Sequence, residues 1–110
     1  MKKIEAYIRV SKLDDVKNAL LNIGVMGLTT YDVQGRGEQI GSVFSNEGES
    51  FIKGELIPKK KIEIFCIEEE LDKIISSIMA RAYTGKEGDG KIFISNVEDV
   101  IKIRTEQRSN

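Results

Sequence analysis

The sequence predicts an α+β domain built as a split β-α-β, two β-α-β units joined by a long arm, spanning 1–110 as a single unit. Three observations predict it. Apolar and polar residues alternate near residues 2–10, 60–67 and 91–105. The first two of these stretches each lead into apolar residues at helical spacing. Between residues 35 and 59 both periods vanish, and Gly35, Gly37, Gly41, Gly48 and Gly54 punctuate the chain.

Taken in order, Ile4, Ala6, Ile8 and Val10 alternate with Lys3, Glu5, Tyr7 and Arg9, which describes a half-buried first strand. Ser11 stands where it can cap a helix, with Asp14 three residues on at the acidic capping-box position. Leu13, Val16, Ala19, Leu20 and Ile23 then repeat at helical spacing until Gly24 stops them. Residues 28–33 are β-branched enough for a second strand. The arm follows, from about 37 to 58, and loops of that length in compact domains are usually functional or disordered. Residues 60–67 alternate as a third strand, with Cys66 facing the core as a small hydrophobe. Glu68–Glu70 set negative charge on the first turn of the next helix, where the helix dipole favours it. Leu71, Ile74, Ile75, Ile78, Met79 and Ala82 form its buried stripe, and Gly85 is its expected stop. Residues 91–95 make a fourth strand. Residues 97–105 also alternate, with Val100, Lys102 and Arg104 on one face and Ile101 and Ile103 on the other, before a polar, frayed tail at 106–110. That order is the ferredoxin-like one, with both helices on one sheet face and a bare face that a second subunit would cover.

Composition excludes several functions. Net charge is −1 with charges of both signs interspersed, so nothing marks a nucleic-acid surface. No apolar run approaches the ~18–20 residues of a membrane span, and Met1-Lys2-Lys3 leads straight into a strand, so a cytoplasmic domain without membrane insertion is expected. One cysteine precludes an intrachain disulfide, and with no histidine it argues against zinc. The absent histidine also removes the commonest general base. The densest chemical signal is Thr84-Gly85-Lys86-Glu87-Gly88-Asp89-Gly90-Lys91, where glycines let backbone N–H groups turn toward one anion. Its spacing satisfies G-x-x-x-x-G-K, but Ile92 stands where a P-loop has Ser or Thr, and the helix precedes the loop. A phosphate cradle remains, against the plainer reading of a helix-to-strand turn with Gly85 as C-cap. Lys91, Lys102 and Arg104 would add charge for a polyphosphate, and Gln39 a carbonyl oxygen for phosphate-bound Mg²⁺. The plainer readings are a solvated strand face and a polar loop residue. No nucleophile has a base beside it, so a binding site is expected rather than an active site.

The chain resembles the PII signal-transduction proteins along nearly its whole length. The resemblance is carried by Met1-Lys2-Lys3-Ile4-Glu5-Ala6, Lys12-Leu13-Asp14-Asp15-Val16 and Gly35-x-Gly37-x-Gln39-x-Gly41. It continues in Pro58-Lys59-x-Lys61-Ile62-Glu63-Ile64, Thr84-Gly85-Lys86-x-Gly88-Asp89-Gly90-Lys91-Ile92-Phe93 and Ile101-x-Ile103-Arg104-Thr105. The resemblance implies a non-catalytic homotrimer with ATP or ADP in clefts between subunits, 2-oxoglutarate bound through Mg-ATP, and an arm, the T-loop, that selects partners. It implies nucleotide contacts from Gly37, Gln39, Gly88, Asp89, Gly90, Lys91, Lys102 and Arg104 on the phosphate side, and from Gly27, Thr29, Glu63, Phe65 and Thr84 around adenine. Gln39 would hold Mg²⁺, and Gln39, Gly41 and Lys59 would receive 2-oxoglutarate. The implied partners are an ammonium transporter, nitrogenase or glutamine synthetase, or another nitrogen-metabolism protein.

The departures are in the arm. Phe51 stands where many relatives carry a uridylylated tyrosine, so that modification is not expected. Glu49 replaces a phosphorylated serine of others, with Ser50 adjacent, and Glu47 reverses the charge of a channel-blocking arginine. Glu38 replaces an arginine that reaches the phosphates, and Lys102 replaces an arginine, keeping charge but losing the bidentate fork. Two alternatives stay open: a PII-fold paralogue that reads adenylates or another small ligand without 2-oxoglutarate, and a slow nucleotide hydrolase.

Overall fold

The computed structural model describes residues 1–36 and 55–109. Gly37, Gln39 and Gly41, the arm positions 38 and 47–51, and most of the arm lie outside the described residues. Strands β1 (Lys2–Ile8), β2 (Thr29–Gly35), β3 (Ile57–Cys66) and β4 (Lys91–Asn96) form one antiparallel sheet in the order β2-β3-β1-β4. Helices α1 (Leu13–Asn22) and α2 (Leu71–Ala82) pack on one another and on the same sheet face. This is the ferredoxin-like double β-α-β expected from the alternating stretches.

The core is the inward parity of the two central strands under the two helix stripes. Ile4, Ala6 and Ile8 of β1 and Ile62, Ile64 and Cys66 of β3 meet Val16 and Leu20 of α1 and Ile74, Ile78 and Ala82 of α2. The register puts Ile4 opposite Ile64 and Ala6 opposite Ile62, so two apolar ladders stack under the helices. Burial pushes the Cys66 thiol pKa up, with the Glu70 charge adding to it, which keeps the thiol protonated and inert as expected. Met79 does not join the stripe; it is 57% exposed, because Ile74, Ile78 and Ala82 at i, i+4 and i+8 define the contact line and Met79 falls beyond its edge.

Several boundaries differ from expectation. Neither helix has a side-chain cap: each is entered through a 3-10 turn, Val10–Lys12 or Glu68–Glu70, so Ser11 does not cap α1 and Val10 is exposed outside β1. The Glu68–Glu70 charges do sit at the start of α2, as the dipole argument requires. Gly24 ends α1 at φ 91°, where the Val25 N–H donates to Leu20 O at 2.9 Å and the Gly24 N–H to Leu21 O at 3.0 Å, a Schellman closure. Gly85 does not end α2; Tyr83 has already turned extended, and Gly85 serves the loop beyond. β2 and β3 run further toward the arm than the apolar pattern reaches, so Gly35 pairs with Ile57 and Pro58 lies within β3.

The largest correction concerns residues 97–105. They are not one strand. Val100–Ile101 (β5) pairs with Arg108–Ser109 (β6) in a small hairpin, tied by an Asp99–Arg108 ion pair, and residues 103–105 form its turn. Within the supposed frayed tail, Arg108–Ser109 form the hairpin's second strand. The alternation of Ile101 and Ile103 misled because Ile103 at the turn is 94% exposed rather than packed.

Candidate functional site

The sheet face opposite the helices carries a lattice of charges. Lys3, Glu5, Lys61 and Glu63 are side-by-side on β1 and β3, with Lys61 Nζ 3.0 Å from Glu5 and Lys3 Nζ 3.5 Å from Glu63. The Lys61 ammonium hydrogen-bonded to Glu5 holds that carboxyl below its ordinary range, and the same bond raises Lys61. Lys61 also lies over the ring of Tyr31, whose hydroxyl donates to Glu63 at 3.1 Å. Tyr7, Phe93 and Phe65 flank the lattice, Tyr7 and Phe93 edge to face. This face is therefore charged but internally paired.

The glycine loop between α2 and β4 is built around Asp89. One carboxylate oxygen accepts from the Thr84 N–H at 2.8 Å and the Gly85 N–H at 2.9 Å; the other accepts from the Thr84 hydroxyl and from Arg9 Nε at 3.1 Å. Partial burial alone would raise the Asp89 pKa, but the hydrogen bonds from Thr84, Gly85 and Arg9 outweigh it and hold it at about 2. Gly85, Gly88 and Gly90 all have positive φ, from 83° to 100°. At Gly90 the need for glycine is strongest, since a Cβ would overlap the Tyr7 carbonyl oxygen of β1. Arg9 Nη2 donates to the Glu87 carbonyl at 2.6 Å, and Lys59 Nζ, from the root of the arm, to the Gly88 carbonyl. Gly85 as helix cap is thereby set aside, since Tyr83 has already left the helix.

The depressed Asp89 pKa predicts an acid-labile loop. The folded carboxyl titrates at about 2 against an ordinary 3.8, so its contribution is fully present above about pH 4 and is lost as pH falls toward 2. Protection of the Thr84 and Gly85 amides, taken against the intrinsic exchange rate at each pH, should fall across that window in the wild type. In Asp89→Asn it should be low already at neutral pH and show no step through the window.

The expected site residues fall into two groups. The 84–91 loop, Lys59 and the arm root stand at the end of the sheet where Tyr7 pairs with Lys91 and Gly35 with Ile57. Gly27, Thr29, Glu63 and Phe65 lie toward the other end, Thr29 opposite Glu63 and Phe65 opposite Lys3, so Thr84 is apart from its supposed adenine companions. Lys102 and Arg104 belong to the hairpin that follows β4. The hairpin leaves from the Asn96 end of β4, where the Val97 N–H donates to Met1 O, and the six residues of β4 separate it from Lys91, a rise of roughly 20 Å. Thr84 and Asp89 spend their polar groups on each other and scaffold the loop. Among the described residues, Lys91, Lys102 and Arg104 enter no ion pair, and all three are exposed.

Sequence reasoning missed Arg9. It is 80 residues from Asp89 in the chain, and β1's alternation marked it only as an outward strand position. The one available signal was an arginine directly after a strand in a chain whose glycine loop holds a lone aspartate.

The nitrogen regulatory protein P-II family model matches residues 1–107. The chain is similar to nitrogen regulatory protein P-II 2 of Methanothermobacter thermautotrophicus, 48% identical over 105 residues that cover 96% of this chain and 90% of the relative. It is 46% identical to nitrogen regulatory protein P-II of Nostoc punctiforme over 109 residues, 99% of this chain and 96% of the relative. Against the Pasteurella multocida protein of that name it is 47% identical over 105 residues, 96% and 93% of the two chains.

Proposed function

Since the chain belongs to the nitrogen regulatory protein P-II family, we propose that it works as a non-catalytic homotrimeric switch that binds ATP or ADP between subunits and uses its arm to regulate a nitrogen-metabolism target. The observation that carries this reading is the placement of its cations. The open-face charges are paired, while Lys91 at one end of the sheet, and Lys102 and Arg104 on the hairpin that leaves from the other, are exposed and without ion pairs among the described residues. A second copy that brings its hairpin beside the first copy's loop gathers the cations and the loop's N–H groups around one phosphate chain. The adenine contacts at Gly27, Thr29, Glu63 and Phe65 then come from the hairpin's side of the cleft, and Thr84 with Asp89 shapes the loop from within.

The residues present fit a phosphoanion: exposed N–H groups, positive charge and glycines that admit close approach. Mg²⁺ with ATP would supply Lewis-acid charge neutralisation, and Gln39 is the side chain that would hold it. Lys59, with Gln39 and Gly41, would receive 2-oxoglutarate. Differential affinity of these ligands for the arm's conformations drives the switch. An ammonium transporter, nitrogenase or glutamine synthetase fits as target. Glu38 is the specific reason to keep a second reading, a relative that senses adenylates without 2-oxoglutarate, because it sets a carboxylate where phosphate binding favours a cation.

Titration calorimetry tests both. Expected are micromolar or tighter binding of ADP and ATP, and 2-oxoglutarate heat only with Mg-ATP present. No nucleotide heat at all sinks the first reading; nucleotide heat without 2-oxoglutarate heat selects the second.

A further inference from the structure

We infer that Arg9 is a positioning residue for the anion-binding loop: with Lys59 it draws two loop carbonyls inward and thereby turns the Gly88 and Asp89 N–H groups outward toward a phosphate. The inference rests on the reading of residues 84–91 as the nucleotide's phosphate site. Arg9 follows β1 directly, and its side chain is only 16% exposed, tucked beneath the loop. Its Nη2 donates to the Glu87 carbonyl and its Nε to the Asp89 carboxylate, so one rigid guanidinium fixes two points of the loop. Lys59 Nζ fixes a third, the Gly88 carbonyl.

The consequence follows from peptide geometry. Among the described residues every peptide is trans, and in a trans peptide the carbonyl and the following N–H point in opposite directions. A Glu87 carbonyl held by Arg9 therefore aims the Gly88 N–H away from Arg9. A Gly88 carbonyl held by Lys59 aims the Asp89 N–H away from Lys59. Neither N–H donates to any group among the described residues. The Thr84 and Gly85 N–H groups are consumed by the Asp89 carboxylate, so donors for a ligand come from the segment that Arg9 and Lys59 orient. Gly88 also lets the loop lie flat on the guanidinium, since a Cβ there would sit 3.3 Å from Nη2. Arg9 is spent on the protein itself and acts on the anion through these peptides.

The test is a double-mutant cycle with a spectroscopic readout. Arg9→Gln, Arg9→Lys, Asp89→Asn and the double variant Arg9→Gln/Asp89→Asn are titrated with ADP by calorimetry, and the Gly88 and residue-89 amides of the ligand-free chains are followed by ¹⁵N NMR. Arg9→Gln should weaken ADP binding about tenfold or more, with Arg9→Lys intermediate because an ammonium lacks the fork. The double variant should be far less impaired than the product of the singles. The Gly88 and Asp89 amides should shift in Arg9→Gln while the sheet resonances stay in place. Unmoved amides, or losses that multiply as independent contacts, overturn the inference. If the wild type binds no ADP, the phosphate-site reading fails, and the amide shifts still decide whether Arg9 orients the loop. If Arg9→Gln does not fold, Arg9→Lys carries the amide comparison.

Discussion

Gly90→Ala is expected to lower the unfolding free energy by roughly 3–5 kcal/mol, the largest effect of any single loop substitution. Two costs add. The φ of 100° at Gly90 is one that L residues rarely adopt, and the added Cβ would overlap the Tyr7 carbonyl oxygen. Tyr7 lies in β1, a central strand paired on both sides, so its carbonyl cannot retreat without disturbing the pairings to Lys61 and Lys91. The loop must move instead, and β4 begins at the next residue. The neighbouring glycines provide the control. A Cβ on Gly85 would meet the hydroxyl of the exposed Tyr83 at 3.0 Å, and one on Gly88 the Arg9 Nη2 at 3.3 Å, side-chain atoms rather than backbone. Gly85→Ala should therefore cost mainly the left-handed backbone penalty, roughly 1–2 kcal/mol, and Gly88→Ala more, because the clamped guanidinium must give, yet less than Gly90→Ala. Urea unfolding at one fixed protein concentration checks the order, concentration being held because assembly contributes to apparent stability. A Gly90→Ala chain within about 1 kcal/mol of wild type would show that the loop relaxes at little cost.

How much of this was legible beforehand depends on the range of the interaction involved. β1 and β3 were readable because one face of each is buried under helices, which imposes a period of two; α1 and α2 were readable by their stripes. The glycine loop was readable as a composition, dense in residues that adopt positive φ. Its architecture was not. Asp89 reads as one more polar loop residue until Arg9 and Thr84 are seen to close on it. Gly90 reads as a phosphate-admitting glycine until Tyr7 is found against it. Both facts depend on contacts across about 80 residues of chain, which no local window contains. Residues 97–105 failed for the opposite reason. Their alternation is real, but β-branched residues at a hairpin tip carry the same period as a buried strand, and only burial separates the two. The error mattered, because a strand would have carried Lys102 and Arg104 on a rigid extended face, whereas a hairpin turn presents them at an exposed end of the chain.

That presentation allows the proposed cleft to be tested by mixing chains. In the proposed trimer each site takes its loop from one subunit and its hairpin from the neighbour. Lys91→Gln and Arg104→Gln should each weaken ADP binding more than about tenfold, since each removes a charge-assisted contact to phosphate. The two variants, unfolded together in equal amounts and reassembled at random, should recover wild-type affinity at about one quarter of the sites. Those are the sites where an Arg104→Gln subunit supplies the intact loop and a Lys91→Gln subunit the intact hairpin. The remainder carry one defect or both. A biphasic ADP isotherm with that high-affinity fraction is the expected result. An isotherm that is only the average of the two variants would place Lys91 and Arg104 of one chain in the same site. The departure of the hairpin from the Asn96 end of β4, the far end of the strand from Lys91, favours the divided site.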